Sequence, residues 1–525
     1  MRTPPPISRS FAAHLAALLL ASLLTGCATF RSYNTELNQT LSIAASGRLD
    51  AAIKTLEKNN RKDDKDLLYY LEMGELQRLH TAYARSQTAW RTADFQVQAW
   101  EDAARADPAR VSGAVLSYLV NDKVRPYEGH DYEKVMLTTR MAMNHLAEGR
   151  WDNARVAIKR THEREAVIAE VRSREERKVE EEARQRGAGV TFKDLNGYPV
   201  QTIDNPEVNG LRNSYQSAFS HYLAGFVYEA LGEPSLAAAG YRQAIELRPN
   251  LPLLEDALAG LDWRVAAPDD GASDVLFVIE TGLAPARVSR QFSLPIPIDE
   301  RWVLVPVSFP VMQSHGAGFV PGELRVDGVE PLVPVRITSV DAMAHRALKD
   351  EMPEIMLRTF VRSFTKATAQ YQAQRAASKR RKEGDDTAGA MLDLSAFALA
   401  IGSVVTESAD ERGWRSLPAS IDIARARLPR GRHRIQLDAP SGPQTVEVEV
   451  EGRYAFVSLR LVGGTLFAML PQASLARGAP MSAPAAVPTG ESPAQRPVPG
   501  EVSASPPQLV RAGSDLQFNP EEFMP

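Results

Sequence analysis

Hydrophobic positions recur with two different periods along this 525-residue chain. From about residue 34 to 264 they fall three and four apart, which predicts one-sided helices. After Pro268 the period shortens. Residues 275–280 form a β-branched apolar run, residues 302–309 alternate around Pro306, and residues 332–338 follow. Prolines at 295, 297, 306, 310, 321, 331 and 334 predict edge strands and loops rather than a long central sheet. Leu357, Phe360, Val361, Phe364, Thr368 and Tyr371 then form one helical stripe, which ends in a basic run at Arg375 and residues 379–382. That run reads as a solvated helix end, because Glu383, Asp385 and Asp386 follow at once. Residues 390–405 are the most apolar internal stretch. They are shorter than a spanning helix and contain Asp393, so a buried core helix is preferred to a membrane hairpin. Strands resume at 434–437, 445–450 and 454–462.

The helical half carries a repeat. Within residues 221–250, Ala224, Gly225, Tyr228, Gly232, Ala237, Tyr241, Ala244 and Pro249 stand at the spacings of a tetratricopeptide (TPR) repeat. The small residues let two antiparallel helices approach, Gly232 permits the turn, and the tyrosines fill the groove between neighbours. Weaker copies are Gly47, Leu49, Ala52 and Leu56; Gly74, Tyr83, Ser86, Trp90 and Ala93; and Ala142, Gly149, Trp151, Ala154 and Ile158. Residues 107–125 are helical in pattern without the signature. Residues 159–186 read as a charged helix extension, with Glu170 and Arg174 at i,i+4 spacing; coiled-coil contact with a partner is the other reading. The strands of the back half resemble a small β-sandwich, with an extracellular-domain topology among the options. The expected fold is therefore α+β and multidomain. It comprises a signal segment (1–26), a lipidated N-terminus (27–33), a TPR-like α-solenoid (34–268), a mixed domain with sandwich-like strands (269–470) and a disordered Pro/Ala/Ser-rich tail (471–525).

Composition narrows the class. The formal net charge of −4 lacks the basic surplus of a nucleic-acid-binding protein. Cys27 is the sole cysteine, so no second thiol is available for a disulfide or a thiolate metal site. It closes Leu24-Thr25-Gly26-Cys27 after a short apolar run that begins behind Arg2 and Arg9, the layout of a secretory signal. The tetrapeptide resembles the lipobox of bacterial lipoproteins. That resemblance implies cleavage before Cys27, acylation of its thiol and new amino group, and a membrane anchor; Ala28 in place of Asp implies the outer membrane, periplasmic face.

Tyr127-Glu128-Gly129-His130-Asp131-Tyr132-Glu133 packs two aromatics, three acids and a histidine into seven residues. One reading makes Tyr127, Glu128, Asp131, Tyr132 and Glu133 a binding loop for a protein partner. In the other, Asp131 caps the next helix and the tyrosines pack beneath it. Phe518 and Phe523, among acids at the end of the tail, are further candidate contacts for a partner. Ser363-Phe364-Thr365-Lys366 spells Ser-x-x-Lys, but no Lys-Thr-Gly accompanies it and Phe364 belongs to the apolar stripe. No Walker loop, Gly-x-Ser-x-Gly elbow or His-Glu-x-x-His occurs, and no metal or cofactor is expected.

The motif at residues 127–133, residues 144–155, and Trp414-Arg415-Ser416-Leu417-Pro418 onward to Gly431-Arg432-His433 resemble an uncharacterised family of bacterial lipoproteins with TPR repeats. The resemblance implies architecture and location rather than an activity. The expectation is a non-enzymatic scaffold or adaptor that binds an envelope protein, with regulation of peptidoglycan synthesis or envelope assembly as a narrower version by analogy. The alternative is an envelope hydrolase that cleaves glycan or peptide through a carboxylate pair.

Overall fold

The computed structural model describes residues 33–61, 65–106, 126–185, 197–298, 301–314, 319–382 and 408–469. Residues 1–32 with Cys27, residues 107–125, residues 390–405 and residues 470–525 with Phe518 and Phe523 lie outside the described residues.

The chain is a mixed α+β protein whose N-terminal part is helical. Helical hairpins come first: α1 (Tyr33–Ala45) with α2 (Leu49–Asn59), α3 (Leu67–Leu79) with α4 (Tyr83–Ala106), and α5 (Asp131–Ala147) with α6 (Trp151–Gln185). After a short α7 (Pro206–Asn209) come the hairpin of α8 (Ala218–Ala230) and α9 (Pro234–Leu247), then α10 (Pro252–Ala259) and α11 (Leu261–Ala266). Each hairpin touches the next: α2 packs on α3, α4 on α5 and α6 on α8. Glycine sets the closeness within a hairpin. A Cβ on Gly74 would stand 2.1 Å from the Trp90 indole nitrogen, and one on Gly240 only 2.7 Å from the Gly225 backbone nitrogen. Residues 159–185 form one continuous helix with the start of α6, as the charge pattern predicts.

The remaining elements are β1 (Ala272–Thr281), β2 (Ala286–Ile298), β3 (Arg301–Gln313), β4 (Leu324–Val326), β5 (Val335–Ser339), the 43-residue α12 (Val340–Lys382), β6 (Ser420–Pro429), β7 (Gly431–Ala439), β8 (Gly442–Val450), β9 (Tyr454–Val462) and β10 (Thr465–Met469). A five-stranded sheet runs in the order β10-β9-β1-β6-β5, and a three-stranded sheet in the order β4-β7-β8. The central pair β1 and β9 is parallel. That pairing departs from the all-antiparallel sheets of the extracellular type.

Strand β1 is buried on both faces, which explains its unbroken apolar run. Val275, Phe277 and Ile279 face the small sheet and meet Leu324, Ile435, Leu437 and Val448. Leu276 and Val278 face the helices and join a core that contains Phe219, Phe226, Leu137 and Trp414. One apolar core thus runs from the hairpins into the sheet.

The β2–β3 hairpin belongs to neither sheet. Its register pairs Ser289 with Pro310, Ser293 with Pro306, Pro295 with Leu304 and Pro297 with Trp302, so all four prolines share one parity. At that parity the N–H points away from the partner strand: the Ser289 amide donates outward to Glu411 (3.2 Å). Prolines there cost no ladder bond and leave both outer edges short of donors. The sequence expectation of edge strands holds for this hairpin.

Polar contacts tie the layers together. On the helix-facing side of the sheet, Glu280 of β1 meets Arg140 of α5, and Arg78 of α3 stands 3.7 Å away. Arg140 also donates to Glu75 (3.0 Å), and Arg78 donates to Asn144 (3.1 Å) and to Ser458 of β9 (3.0 Å).

Candidate functional site: a charged cleft at the head of α5

The motif at residues 127–133 leads into α5, and Glu133 organises it. One carboxylate oxygen accepts from the Tyr127 hydroxyl (2.5 Å) and the His130 backbone N–H (3.0 Å). The other accepts from the Tyr132 hydroxyl (3.2 Å) and the Trp414 backbone N–H (2.7 Å). His130 is the N-cap residue and Asp131 the first residue of the helix. This corrects the expectation that Asp131 caps: the cap contact runs from Glu133, three residues in, back to the His130 amide.

His130 connects three elements. Its Nδ1 lies 2.9 Å from Glu351 of α12 and its Nε2 lies 3.2 Å from the Arg412 carbonyl oxygen. Nε2 also faces a donor, the Arg287 guanidinium at 3.4 Å, so Nδ1 carries the proton toward Glu351 while Nε2 stands between an acceptor and a donor. Burial pulls the ring's pKa down, but Glu351 and Glu133 outweigh it and hold the imidazole above its ordinary value. Burial pushes the Glu351 carboxyl up, and His130 and Arg287 outweigh that and hold it well below the usual range. Arg287 of β2 donates to Glu351 at 2.8 Å. The His130 ring stacks on Tyr132 and meets the edge of Tyr127.

Asp131 is buried between Arg172 of α6 and Lys134, whose ammonium is 3.3 Å away. Lys134 also sits 3.2 Å over the Trp100 ring, and burial draws its pKa down against the pull of Asp131. Arg412 pairs with Asp410 at 2.7 Å and lies over the Tyr127 ring. These groups surround a cavity of about 160 Å³, lined also by Glu128, Glu175, Glu354 and Arg358. Glu175 is raised by burial first, with Glu354 and Asp131 adding to it against Arg172.

Of the five candidate residues of the motif, Tyr127 and Glu128 line the cavity, and Asp131, Tyr132 and Glu133 lie behind it. Tyr132, Asp131 and Glu133 are buried and hold the wall, Tyr127 is half-buried, and Glu128 is exposed. Arg172, Arg287, Glu351, Asp410 and Arg412 were not singled out from sequence as cleft residues. They arrive from four distant segments, and only the Trp414 neighbourhood carried any signal. Ser363 is buried on α12, in keeping with a structural role. Among the described residues no group of His, Cys, Asp and Glu could hold a metal ion, and no helix is long and apolar enough to cross a membrane.

A second, larger depression of about 840 Å³ opens between the α5–α6 turn, the end of α8 and the β8–β9 turn. Its floor includes Leu146, Leu231, Ala455 and Phe456, and its rim Glu148, Asp152, Glu449 and Glu451. No protein-family model and no curated protein matches the chain.

Proposed function

We propose that this chain is a lipid-anchored scaffold of the bacterial envelope that holds a protein partner and performs no chemistry of its own. In this reading residues 34–268 are a TPR-like solenoid, Cys27 carries the acyl chains, and the protein lies on the periplasmic face of the outer membrane. The observation that carries the reading is the succession of tightly packed helical hairpins, Gly74 under Trp90 and Gly225 under Tyr241, with open depressions at their ends. The cleft fits a binding wall better than a catalyst. Glu351, Asp131 and Asp410 are each held by cations, and Glu133 by four donors.

The rival hydrolase reading has one observation in its favour: Glu175 is raised while Glu351 is lowered at the same cavity. Glu351 is spent on two ion pairs, which leaves it poorly placed to attack a substrate. Two measurements test the proposal. Cys27→Ser is expected to release the protein from the membrane fraction; complete retention with outer membranes after a high-salt wash overturns the anchor. A photo-crosslinking residue at the exposed Glu128 position is expected to give a discrete adduct with an envelope protein in intact cells. Absence of any adduct, together with hydrolysis of glycan or peptide by the pure protein and its loss in Glu175→Gln, overturns the scaffold in favour of the enzyme.

A further inference from the structure

The third hairpin meets the fourth where α6 packs on α8. Near the start of α6, Trp151 packs on Phe226 (6.0 Å between ring centres), and Arg155 reaches Glu233, the N-cap residue of α9, at 3.1 Å. Two turns further along α6 the contact changes character. His162 of α6 and His221 of α8 stack with ring centres 5.0 Å apart and planes 12° from parallel. His221 Nε2 stands 3.1 Å from the carboxylate of Glu165, one turn on from His162. His221 and Glu165 are buried, and His162 is half-buried.

The stack holds two imidazoles and one carboxylate, and that carboxylate is directed to His221. The Nε2 of His162 is buried and makes no hydrogen bond. A proton there would be a buried donor without an acceptor, face to face with a second imidazole. Burial first, and then His221, hold the His162 ring below its ordinary value, against the pull of Glu165. The remaining titratable group beside Glu165 is the Tyr215 phenol, raised by burial first and then by Asp131 and Glu165. From α5 the joint is closed by hydroxyl contacts, Thr138 with Thr161 (2.8 Å) and Thr139 with Ser220 (2.9 Å), which do not titrate.

We infer that the His162–His221 stack is a proton-sensitive joint between the third and fourth hairpins, closed while His162 is neutral and loosened when acid places a proton on it. This deepens the scaffold reading as a regulation of it, and rests on that reading for its consequence. Neighbouring hairpins hold each other in register, so a looser joint alters the surface that a partner meets. The sign is fixed by the geometry. The folded chain binds the His162 proton less readily than the unfolded chain, so the joint is complete above the ordinary imidazole value of about 6.5 and weakens as pH falls. His130 acts in the opposite direction at the contact of α5 with α12, so the readout has to be local.

The test is hydrogen–deuterium exchange of the full anchored chain in detergent, read in peptides from α6 and α8 and corrected for intrinsic exchange at each pH. Protection of these peptides is expected to fall about threefold or more between pH 8 and pH 5, while peptides from α3 stay constant. His162→Phe keeps a ring on His221 but takes no proton, and is expected to show equal protection at both pH values. Unchanged protection of α6 and α8 in the native chain, or the same loss in His162→Phe, overturns the joint. Nuclear magnetic resonance of the native chain with labelled histidine keeps the test open if His162→Phe fails to fold: His162 is expected to titrate below the ordinary imidazole range, and titration at or above it overturns the inference. Crosslinking at Glu128 separates the two levels. Adducts with a pH-independent joint overturn the joint alone; a pH-dependent joint without any adduct at either pH overturns the scaffold.

Discussion

Arg140 is the joint between the helices and the sheet, and removing it has a calculable consequence. Its guanidinium serves two carboxylates at once, Glu75 of α3 at 3.0 Å and Glu280 of β1, and all three side chains are no more than 1% exposed. In Arg140→Met the two acids fare differently. Glu280 still has Arg78 at 3.7 Å and faces Arg460 across the parallel β1–β9 register. Glu75 loses the one hydrogen bond its Oε1 makes, and its Oε2 has none to begin with. Glu75 keeps only the more distant pull of Arg78 and Arg460, and removing one partner of a buried ion pair costs about 3–5 kcal/mol. Adding Glu75→Gln removes that charge while keeping its shape, so Arg140→Met/Glu75→Gln is expected to recover most of the loss. The pH dependence has a definite sign. Burial, offset in part by Arg140 and Arg78, already raises Glu75 above its ordinary value, and removing Arg140 raises it further. The native state then keeps a proton that the unfolded chain releases, so the variant's deficit grows as pH rises from the ordinary carboxyl value through the raised one. Urea unfolding followed by tryptophan fluorescence reads this directly, because Trp90 and Trp414 are fully buried at the same junction and 6.0 Å apart. A loss below about 1 kcal/mol, or no recovery from Glu75→Gln, refutes the reasoning.

Two further outcomes follow from the same physics. His130 is raised, so the stability it contributes is complete below its unfolded value and is lost as pH rises through its folded one; the groups facing it are Glu351, Glu133, Tyr127, Tyr132, Arg287 and the Arg412 carbonyl. The melting-temperature gap between the native chain and His130→Asn should therefore shrink from pH 5.5 to pH 8.5, and a gap that stays constant or widens would show that the folded-state value is not raised. Gly240→Ala gains about 1 kcal/mol of helix propensity but drives a Cβ against the Gly225 backbone, where overpacking costs about 1–3 kcal/mol; a net loss is expected in a melting curve, and a gain in stability would mean that α8 and α9 do not cross there.

Much of this fold was legible because the relevant forces are local. The TPR spacing at Gly225, Gly232, Ala237 and Tyr241 names a close helix crossing, and Tyr241 indeed covers Gly225. The β-branched run at 275–280 marked a strand, and the prolines at 295, 297, 306 and 310 marked edge segments, because missing donors are written residue by residue. Strands β2, β4, β6 and β10 were missed. In β6 the residues at Arg425 and Arg427 interrupt the apolar pattern. Arg425 sits in a strand because Glu229 of α8 (2.7 Å) and Asp274 of β1 (2.6 Å) neutralise it. Those partners lie far off in sequence, so nothing local announces them.

The cleft shows the same division more sharply. The density of aromatic and acidic side chains at 127–133 marked the place, but not which member would do what. Reading Asp131 as the cap was reasonable from residue preference alone. The structure gives the cap contact to Glu133 instead, because a carboxylate that accepts from Tyr127, His130, Tyr132 and Trp414 at once has no charge left unanswered in a buried position. Asp131 is then free to take Arg172 and Lys134, which fastens α6 to α5 beside the cavity. Partner selection at this end is therefore expected to depend on Glu128 and on the aromatic and guanidinium faces it borders. A change at Asp131, Tyr132 or Glu133 reaches the partner only by loosening the wall, so such a change should lower the melting temperature whenever it lowers capture, whereas Glu128→Lys should lower capture alone.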